Sequence, residues 1–258
     1  MHRHDHSLIE IRGQRIEVRT IEGDPARPTL VFLHEGLGSV AMWRGFPVRV
    51  AEVTGCPTVV YSRYGYGGSD RLEAPFGVDY MHREAEESLP DLLATLGIAQ
   101  PILIGHSDGA SIALIYAGTH ANVRGLLALA PHVFVEDISV RSIEDAKVAF
   151  ETTDMQKKLA RYHTDAWKTF YGWNDIWLHP DFRRWNIESY LPRIRCPVMA
   201  IQGVNDAYGT MAQVEAIAAQ VAGPCELVKF DACGHSPHRD QHDATLAAIV
   251  RFVAQVAP

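Results

Sequence analysis

The hydrophobic and polar positions along the chain follow two periods, one typical of strands and one of helices. Alternation over 8–21, around Gly13-Gln14, predicts a β-hairpin. Six short and mostly apolar runs follow, and such runs are typical of strands that are buried on both faces of a parallel sheet. They occupy 29–33, 58–61, 101–104, 125–130, 197–202 and 225–230.

Stretches with helical periodicity separate these runs. The clearest are 79–97, 108–120, 210–221 and 240–256. Pro90 lies inside the first of them, so we expect that helix to be kinked or split there. Strands that alternate with helices predict an α/β fold, in which a mostly parallel eight-stranded sheet carries helices on both faces.

One long segment, 132–192, interrupts this alternation. Its patterns are helical, and it holds eleven of the 23 aromatic residues and four of the five tryptophans. Two compatible explanations are that these side chains pack the segment onto the sheet, or that they line an apolar pocket under a lid. We therefore expect a core domain of 1–131 and 193–258, with a helical cap of 132–192 inserted into it.

Composition narrows the class of protein. The 258 residues are 47% hydrophobic and carry a net charge of −7, and the longest apolar runs are strand-sized. These values are typical of an ordinary globular chain. They argue against nucleic acid or a membrane as the main partner, and composition alone indicates no activity. The oligomeric state stays open.

The cysteines and the N-terminal sequence point to the cytoplasm. The four cysteines are far apart and form no CxxC pair, so we predict reduced thiols rather than disulfides or a zinc site. The first 13 residues contain no apolar signal segment. His2, His4 and His6 alternate there, and we expect a frayed polar terminus rather than a metal site. We predict no metal and no other cofactor.

The candidate chemistry begins with Gly105-His106-Ser107-Asp108-Gly109, a G-x-S-x-G sequence. It follows a predicted strand and precedes a predicted helix, which is the context of a nucleophile elbow. A sharp turn of this kind holds its serine in a strained conformation and leaves no room for bulky neighbours. Ser107 is therefore the predicted nucleophile.

A serine nucleophile needs a base and an orienting acid, and loops at the carboxyl ends of strands are where a parallel sheet builds sites. His235 lies in such a loop before the last helix, and His238 is its nearest competitor. Asp206 directly follows the predicted strand 197–202. The order Ser107, Asp206, His235 is the chain order of hydrolases with this elbow. We assign the base to His235 and the acid to Asp206.

A tetrahedral intermediate also needs N–H donors for its oxyanion. We predict two backbone donors, Asp108, which follows the nucleophile, and Gly36, in the glycine-rich turn after the strand 29–33. His34 and His106 end strands near these positions. We expect them mainly to make structural hydrogen bonds.

With these motifs in place, the chain resembles the serine hydrolases of the α/β-hydrolase fold that carry a helical cap. The resemblance rests on the elbow, the stretch Tyr61–Asp70, the acid loop at Asp206 and the histidine loop at His235. It covers nearly the whole chain and implies an α/β-hydrolase fold. The activity that it implies is a cofactor-independent hydrolysis of a small carboxylic ester, or a related acyl substrate, through an acyl-enzyme.

A narrower likeness is to the biphenyl hydrolase-like and valacyclovir hydrolase group. It rests on the aspartate after the serine and on the segments 158–171 and 192–197. In that group this aspartate helps to recognise the α-amino group of the substrate, which would give Asp108 a second role. The alternative is an acidic first-turn residue favoured by the helix dipole. Glu35 stands where the family usually has a glycine, and this departure bears on Gly36 as a donor.

Other activities stay open. Hydrolases of carbon–carbon bonds in aromatic-ring degradation and enol-lactone hydrolases use similar residues, and an aromatic-rich cap suits ring-derived substrates. Epoxide hydrolases and haloalkane dehalogenases use an aspartate nucleophile, whereas position 107 is serine. The alternative from another class is a non-catalytic binder of small ligands, but such proteins often lose part of the triad.

Overall fold

A computed structural model describes residues 4–257, and its eight strands form one sheet. The strands are β1 (His4–Ile11), β2 (Gln14–Ile21), β3 (Leu30–Leu33), β4 (Thr58–Tyr61), β5 (Ile102–His106), β6 (Gly125–Leu129), β7 (Val198–Gly203) and β8 (Cys225–Phe230). Their order across the sheet is β1-β2-β4-β3-β5-β6-β7-β8. The pairs β1–β2 and β2–β4 are antiparallel and the others are parallel, which confirms the predicted sheet.

Helices cover both faces of this sheet. They are α1 (Phe46–Thr54), α2 (Tyr80–Arg83), α3 (Leu89–Thr95), α4 (Asp108–Thr119), α5 (Asp137–Thr152), α6 (Met155–Leu159), α7 (Ala166–Trp177), α8 (Met211–Gln220), α9 (Pro237–Asp240) and α10 (His242–Val256). The central strand β3 shows why its sequence is apolar throughout. Val31 and Leu33 pack into the hydrophobic cluster on one face, while Leu30 and Phe32 pack into the cluster on the other. Within residues 4–257, no helix is both long enough and apolar enough to cross a membrane.

The predicted helix over 79–97 is disrupted just before Pro90. A π-helical turn, Glu84–Ser88, joins α2 to α3, and Pro90 lies in the first turn of α3. Proline cannot donate the hydrogen bond that continues an α-helix, and a wider turn accommodates the missing bond while the helical path goes on.

The N-terminal expectation was wrong for the residues that can be described. Strand β1 begins at His4 and pairs with β2 over its whole length, so the hairpin is longer than predicted. Because β2 continues to Ile21, it offers backbone partners to the polar residues before position 8. His6 Nε2 also lies 2.8 Å from Glu17 Oε1. His2 lies outside the described residues.

Helices α5, α6 and α7 lie between β6 and β7, in the segment 132–192, which we call the helical insert. Two 3₁₀ segments, Pro180–Arg184 and Glu188–Arg193, complete it. Phe150 of α5 and Phe170 of α7 stack face to face, with their ring centres 3.9 Å apart. Both belong to the same hydrophobic cluster as the sheet residues, so the insert is packed against the core.

Candidate active site

The turn between β5 and α4 holds Ser107 in an unusual backbone conformation, with φ 53° and ψ −120°. Non-glycine residues rarely adopt a positive φ, and such strain is typical of functional turns. Neither flanking glycine has room for a side chain. A Cβ at Gly105 would lie 2.5 Å from the backbone nitrogen of Ala110, and one at Gly109 would overlap the backbone of Leu33. The strained elbow of the sequence prediction is therefore present.

The structure brings Ser107, His235 and Asp206 together, although they come from three separate loops. Ser107 Oγ lies 2.8 Å from His235 Nε2, and His235 Nδ1 lies 2.8 Å from Asp206 Oδ2. An ionised carboxylate only accepts hydrogen bonds, so Nδ1 carries the imidazole proton. Nε2 is then free to accept the proton of the serine hydroxyl. This arrangement is competent for general-base activation of Ser107.

Asp206 is held by two further donors. The amide of Gln202 and the backbone N–H of Tyr208 each donate to one of its carboxylate oxygens at 2.8 Å. Burial would raise the pKa of Asp206, but the hydrogen bonds from His235 and from the backbone N–H of Tyr208 lower it below the usual value. The acid therefore stays ionised at neutral pH and keeps the imidazole in one tautomer.

The two predicted oxyanion donors face the same cavity. Among the residues that the structure describes, neither the N–H of Gly36 nor that of Asp108 donates to a protein acceptor. The two carbonyl groups that precede Gly36 are held by the buried guanidinium of Arg63. It donates to the carbonyl of His34 at 2.5 Å and to that of Glu35 at 3.1 Å. Sequence reasoning gave Arg63 no role, although it lies in the stretch that carried the family resemblance.

Glu35, the departure from the family pattern, has a defined place. Its carboxylate lies between His106 Nδ1, at 3.5 Å, and Arg239, at 3.6 Å. Burial would raise the pKa of Glu35, but the neighbouring imidazole of His106 and the guanidinium of Arg239 hold it well below its usual range. His106 Nε2 lies 2.6 Å from the carbonyl oxygen of His235. Glu35 and His106 together therefore connect the turn that carries Gly36 with the histidine loop.

The imidazole of His34 makes structural hydrogen bonds. His34 donates from Nδ1 to the carbonyl of Glu35 at 2.7 Å and accepts the backbone N–H of Arg63 at Nε2, at 3.1 Å. His238, the competitor of His235, is buried, and neither of its nitrogens has a hydrogen-bond partner in the described chain. Burial lowers the pKa of His238 to about 2. It makes no hydrogen bond to Ser107.

His132 is a cavity residue that sequence reasoning missed. It follows β6, and its Nε2 lies 3.1 Å from the carbonyl oxygen of Tyr208, to which it donates. Burial lowers the pKa of His132 to about 4, so its imidazole is neutral at pH 7. Its position after a parallel strand could have revealed it, but thirteen histidines share the chain and spacing alone does not separate them.

The carboxylate of Asp108 is only 1% exposed and takes part in a buried network. The hydroxyl of Tyr80 donates to Asp108 Oδ2 at 2.5 Å, and the indole N–H of Trp177 donates to that hydroxyl at 3.2 Å. Burial raises the pKa of Asp108. The network joins the elbow to α7 of the helical insert.

A cavity of about 210 Å³ lies over Ser107. Ser107, His235 and Tyr208 form part of its wall, and the insert contributes Ile143, Trp173 and Trp177. Most of the wall is apolar, as expected for a pocket that binds a small organic molecule. Within 4–257, no three acidic, histidine or cysteine side chains are grouped so that they could hold a metal ion.

Two curated proteins share partial sequence similarity with this chain. It is 31% identical over 134 residues to epoxide hydrolase 3 of Xenopus tropicalis, an alignment that covers 49% of this chain and 34% of that protein. It is 26% identical over 108 residues to the sn-1-specific diacylglycerol lipase ABHD11 of Mus musculus, covering 42% of this chain and 34% of that protein. The matches therefore span about a third of the length of each relative.

Solved structures match the chain over nearly its whole length. An esterase from Exiguobacterium antarcticum has a TM-score of 0.79 at 21% identity, covering 97% of this chain and 100% of the other. The enol-lactonase from Burkholderia xenovorans LB400 has a TM-score of 0.75 at 20% identity, covering 96% and 99%. At these identities the likeness establishes the fold alone.

A sequence model described as "Alpha/beta hydrolase family" matches residues 30–248. That range begins at β3 and ends within α10, so it includes the elbow, the acid loop and the histidine loop. Since the match covers most of the chain, the protein belongs to the alpha/beta hydrolase family.

Proposed function

We propose that this protein is a cofactor-independent serine hydrolase that cleaves a small carboxylic ester, or a related acyl substrate, through an acyl-enzyme. One observation carries the proposal, the continuous hydrogen-bonded chain from Ser107 Oγ through His235 to Asp206, with both links at 2.8 Å. The apolar cavity over Ser107 supports a small organic substrate. Family membership supports hydrolysis as the reaction class.

In the proposed reaction, Ser107 Oγ attacks the acyl carbonyl while its proton passes to His235 Nε2. Asp206 stabilises the imidazolium that forms, and the backbone N–H groups of Gly36 and Asp108 donate to the oxyanion. The imidazolium then gives its proton to the leaving group, and the acyl-enzyme remains. Water, deprotonated by His235, attacks the acyl carbonyl and releases Ser107 with its proton restored.

Covalent labelling tests the proposal directly. We expect a fluorophosphonate probe to label the wild-type protein at Ser107, and Ser107→Ala to abolish both labelling and ester hydrolysis. Ser7→Ala is the matched control, because Ser7 is exposed on β1 and does not line the cavity. Full esterase activity in purified Ser107→Ala would overturn the assignment.

The acyl preference follows from the wall that the insert provides. Ile143, Trp173 and Trp177 offer apolar surface in the wall of the cavity that holds Ser107. We therefore propose an apolar acyl group of limited size, and a panel of p-nitrophenyl esters with increasing acyl length tests it. An optimum at an intermediate length is expected, and equal rates for all lengths would contradict it.

The amino-ester activity of the valacyclovir hydrolase group is a second candidate, since Asp108 lies at the cavity wall. The hydrogen bond from Tyr80 and the 1% exposure of Asp108 favour the first-turn structural role instead. α-Amino esters compared with their deaminated analogues distinguish the two. A preference for the amino ester that disappears in Asp108→Asn would support substrate recognition.

Carbon–carbon bond and enol-lactone hydrolysis remain alternatives, because both reactions could use Ser107, His235 and Asp206. The two tryptophans in the wall favour them, because aromatic rings stack well on indoles. The serine at position 107 argues against an epoxide hydrolase mechanism, which needs an aspartate there, although one relative carries that name.

The remaining alternative is a non-catalytic binder of small ligands. A protein that binds ligand in the cavity without being labelled by the fluorophosphonate would support it.

A cytoplasmic location is part of the proposal. All four cysteines are free thiols, and two of them, Cys56 and Cys233, are buried. Reduced thiols are the rule in a reducing compartment. We propose a small-molecule substrate as the partner, with neither nucleic acid nor membrane required for activity.

A further inference from the structure

Trp173 of α7 reaches from the helical insert to the turn that carries the predicted oxyanion donor Gly36. Its indole nitrogen lies 2.0 Å from the position of an ideal Cβ on Gly36, whereas the neighbouring ring atoms Cδ1 and Cε2 lie at 2.6 and 2.8 Å. The nitrogen edge of the ring therefore faces the turn. Only a glycine leaves room for this approach.

This contact limits the distance between two N–H donors. An ideal Cβ lies about 2.5 Å from the nitrogen of its own residue. The indole nitrogen of Trp173 consequently lies no more than about 4.5 Å from the backbone nitrogen of Gly36. Two donors at that separation can both reach one oxygen atom at the usual hydrogen-bond distance of about 2.9 Å.

The indole N–H of Trp173 also lacks an internal acceptor. Among the hydrogen bonds of residues 4–257, the neighbouring Trp177 donates to Tyr80, but Trp173 donates to no protein group. Trp173 nevertheless lines the same cavity as Ser107 and is 6% exposed. Its indole nitrogen is not among the fully buried nitrogens without a partner, so it is accessible from the cavity, where a ligand oxygen can accept its hydrogen bond.

We propose that the indole N–H of Trp173 is a third oxyanion donor, supplied by the helical insert. It would donate to the carbonyl oxygen of the substrate beside the N–H of Gly36 as negative charge develops there. The inference rests on the proposed serine hydrolase function and adds a catalytic residue to it. The insert would then take part in the chemistry as well as in shaping the pocket.

The test replaces the donor while keeping the ring. β-(3-Benzothienyl)alanine at position 173 has nearly the shape of tryptophan but a sulfur in place of the N–H, and Trp173→Phe is the simpler variant. We expect kcat for a p-nitrophenyl ester to fall by about 100-fold with little change in KM, as for other lost oxyanion donors. The affinity for a trifluoromethyl ketone, which forms an oxyanion with Ser107, should fall by the same factor.

Trp185→Phe is the matched control. The Trp185 indole N–H also lacks an acceptor in the described chain, but this residue lies in the insert outside the cavity wall. Its replacement should leave kcat and the ketone affinity unchanged. An effect of the benzothienyl variant on KM alone, or no effect at all, would overturn the role of Trp173.

Fluorophosphonate labelling separates the two levels of the proposal. If the wild-type protein is not labelled at Ser107, the serine hydrolase function itself fails. If Ser107 is labelled and the benzothienyl variant retains full kcat and ketone affinity, only the third donor fails.

Discussion

The two walls of the cavity are built in different ways. On the core side, Ser107, His235 and Asp206 are fixed by hydrogen bonds of 2.8 Å and by a strained turn. On the insert side, the wall consists mainly of apolar side chains such as Ile143 and Trp177, and aromatic contacts such as the stack of Phe150 on Phe170 pack the insert internally. Hydrogen bonds fix both distance and direction, whereas apolar packing mainly fills space.

This difference indicates that the core wall and the insert wall have different functions. The core wall sets the positions of the reacting groups, so small changes there should alter rate with little effect on folding. The insert wall sets the shape of the pocket, so changes there should alter stability and substrate range. Trp173 is the proposed exception, because its donor would bring the insert into the reaction.

The largest effect is expected where the core wall depends on a single charge. Asp206→Asn keeps the shape of the side chain but no longer favours the imidazole tautomer with its proton on Nδ1, so kcat should fall by about 10⁴-fold. Steady-state kinetics with a p-nitrophenyl ester measure it, and the thermal midpoint should change little. Asp231→Asn, an exposed acid at the start of the histidine loop, is the control. An equal loss in both variants would argue against a specific role for Asp206.

The packing of the insert should show the opposite behaviour. Phe170 is fully buried, so Phe170→Ala should lower the free energy of unfolding by about 3–5 kcal/mol. The exposed Trp167, on the same helix, is 56% accessible, and Trp167→Ala should change it by no more than about 0.5 kcal/mol. Denaturant unfolding of both variants compares them. Equal values would contradict the view that internal packing holds the insert in place.

Gly36→Ala tests the boundary between the two walls. The added Cβ would overlap the indole of Trp173, so the turn or the ring must move. We expect about a 100-fold fall in kcat, comparable to the loss of one oxyanion donor. Gly45→Ala is the control, because a Cβ there meets open space. Unchanged activity in Gly36→Ala would show that the turn tolerates displacement.

The smallest effect concerns His238, a buried residue of α9 that has no hydrogen-bond partner among residues 4–257. Its folded-state pKa of about 2 lies below the unfolded value of 6.5, so the unfolded chain takes up the proton first. Stability should fall as pH drops below 6.5, and His238→Leu should remove this contribution. Between pH 6.5 and 5 the variant should gain about 1.5 kcal/mol relative to wild type. Urea unfolding at several pH values measures the difference, and parallel curves for the two proteins would refute it.

The sequence predicted the strands well, because each is a short apolar run next to a turn-forming residue. It failed at the N-terminus, where the polar residues from His4 to Ser7 form a strand through backbone pairing with β2. Backbone hydrogen bonds do not depend on side-chain polarity, so hydrophobic patterning could not reveal this extension. Pro90 illustrates an intermediate case, since its sequence indicated a disruption but not the π-helical form that it takes.

For the candidate site, the strand-end positions predicted which residues would meet, and the structure brings Ser107, Asp206 and His235 together. The sequence could not predict which residues surround these three. Arg63 beneath the turn, His132 in the cavity wall and the carboxylate of Glu35 between His106 and Arg239 all depend on contacts between distant segments. The catalytic roles of Ser107, Asp206 and His235 remain predictions, which the experiments above address.

The sequence by itself determined the alternation of strands and helices, the elbow around Ser107 and the chain order of its proposed partners, because these depend on local periodicity and on fixed positions at strand ends. Only the tertiary structure decided which aromatic side chains of the insert face the cavity. Trp167 points to solvent while Trp173 and Trp177 line the pocket, although all three belong to one helix. The physical reason is that the packing of α7 on the core selects the face of the helix that is buried, and a periodic pattern rich in aromatics on several faces leaves that choice open.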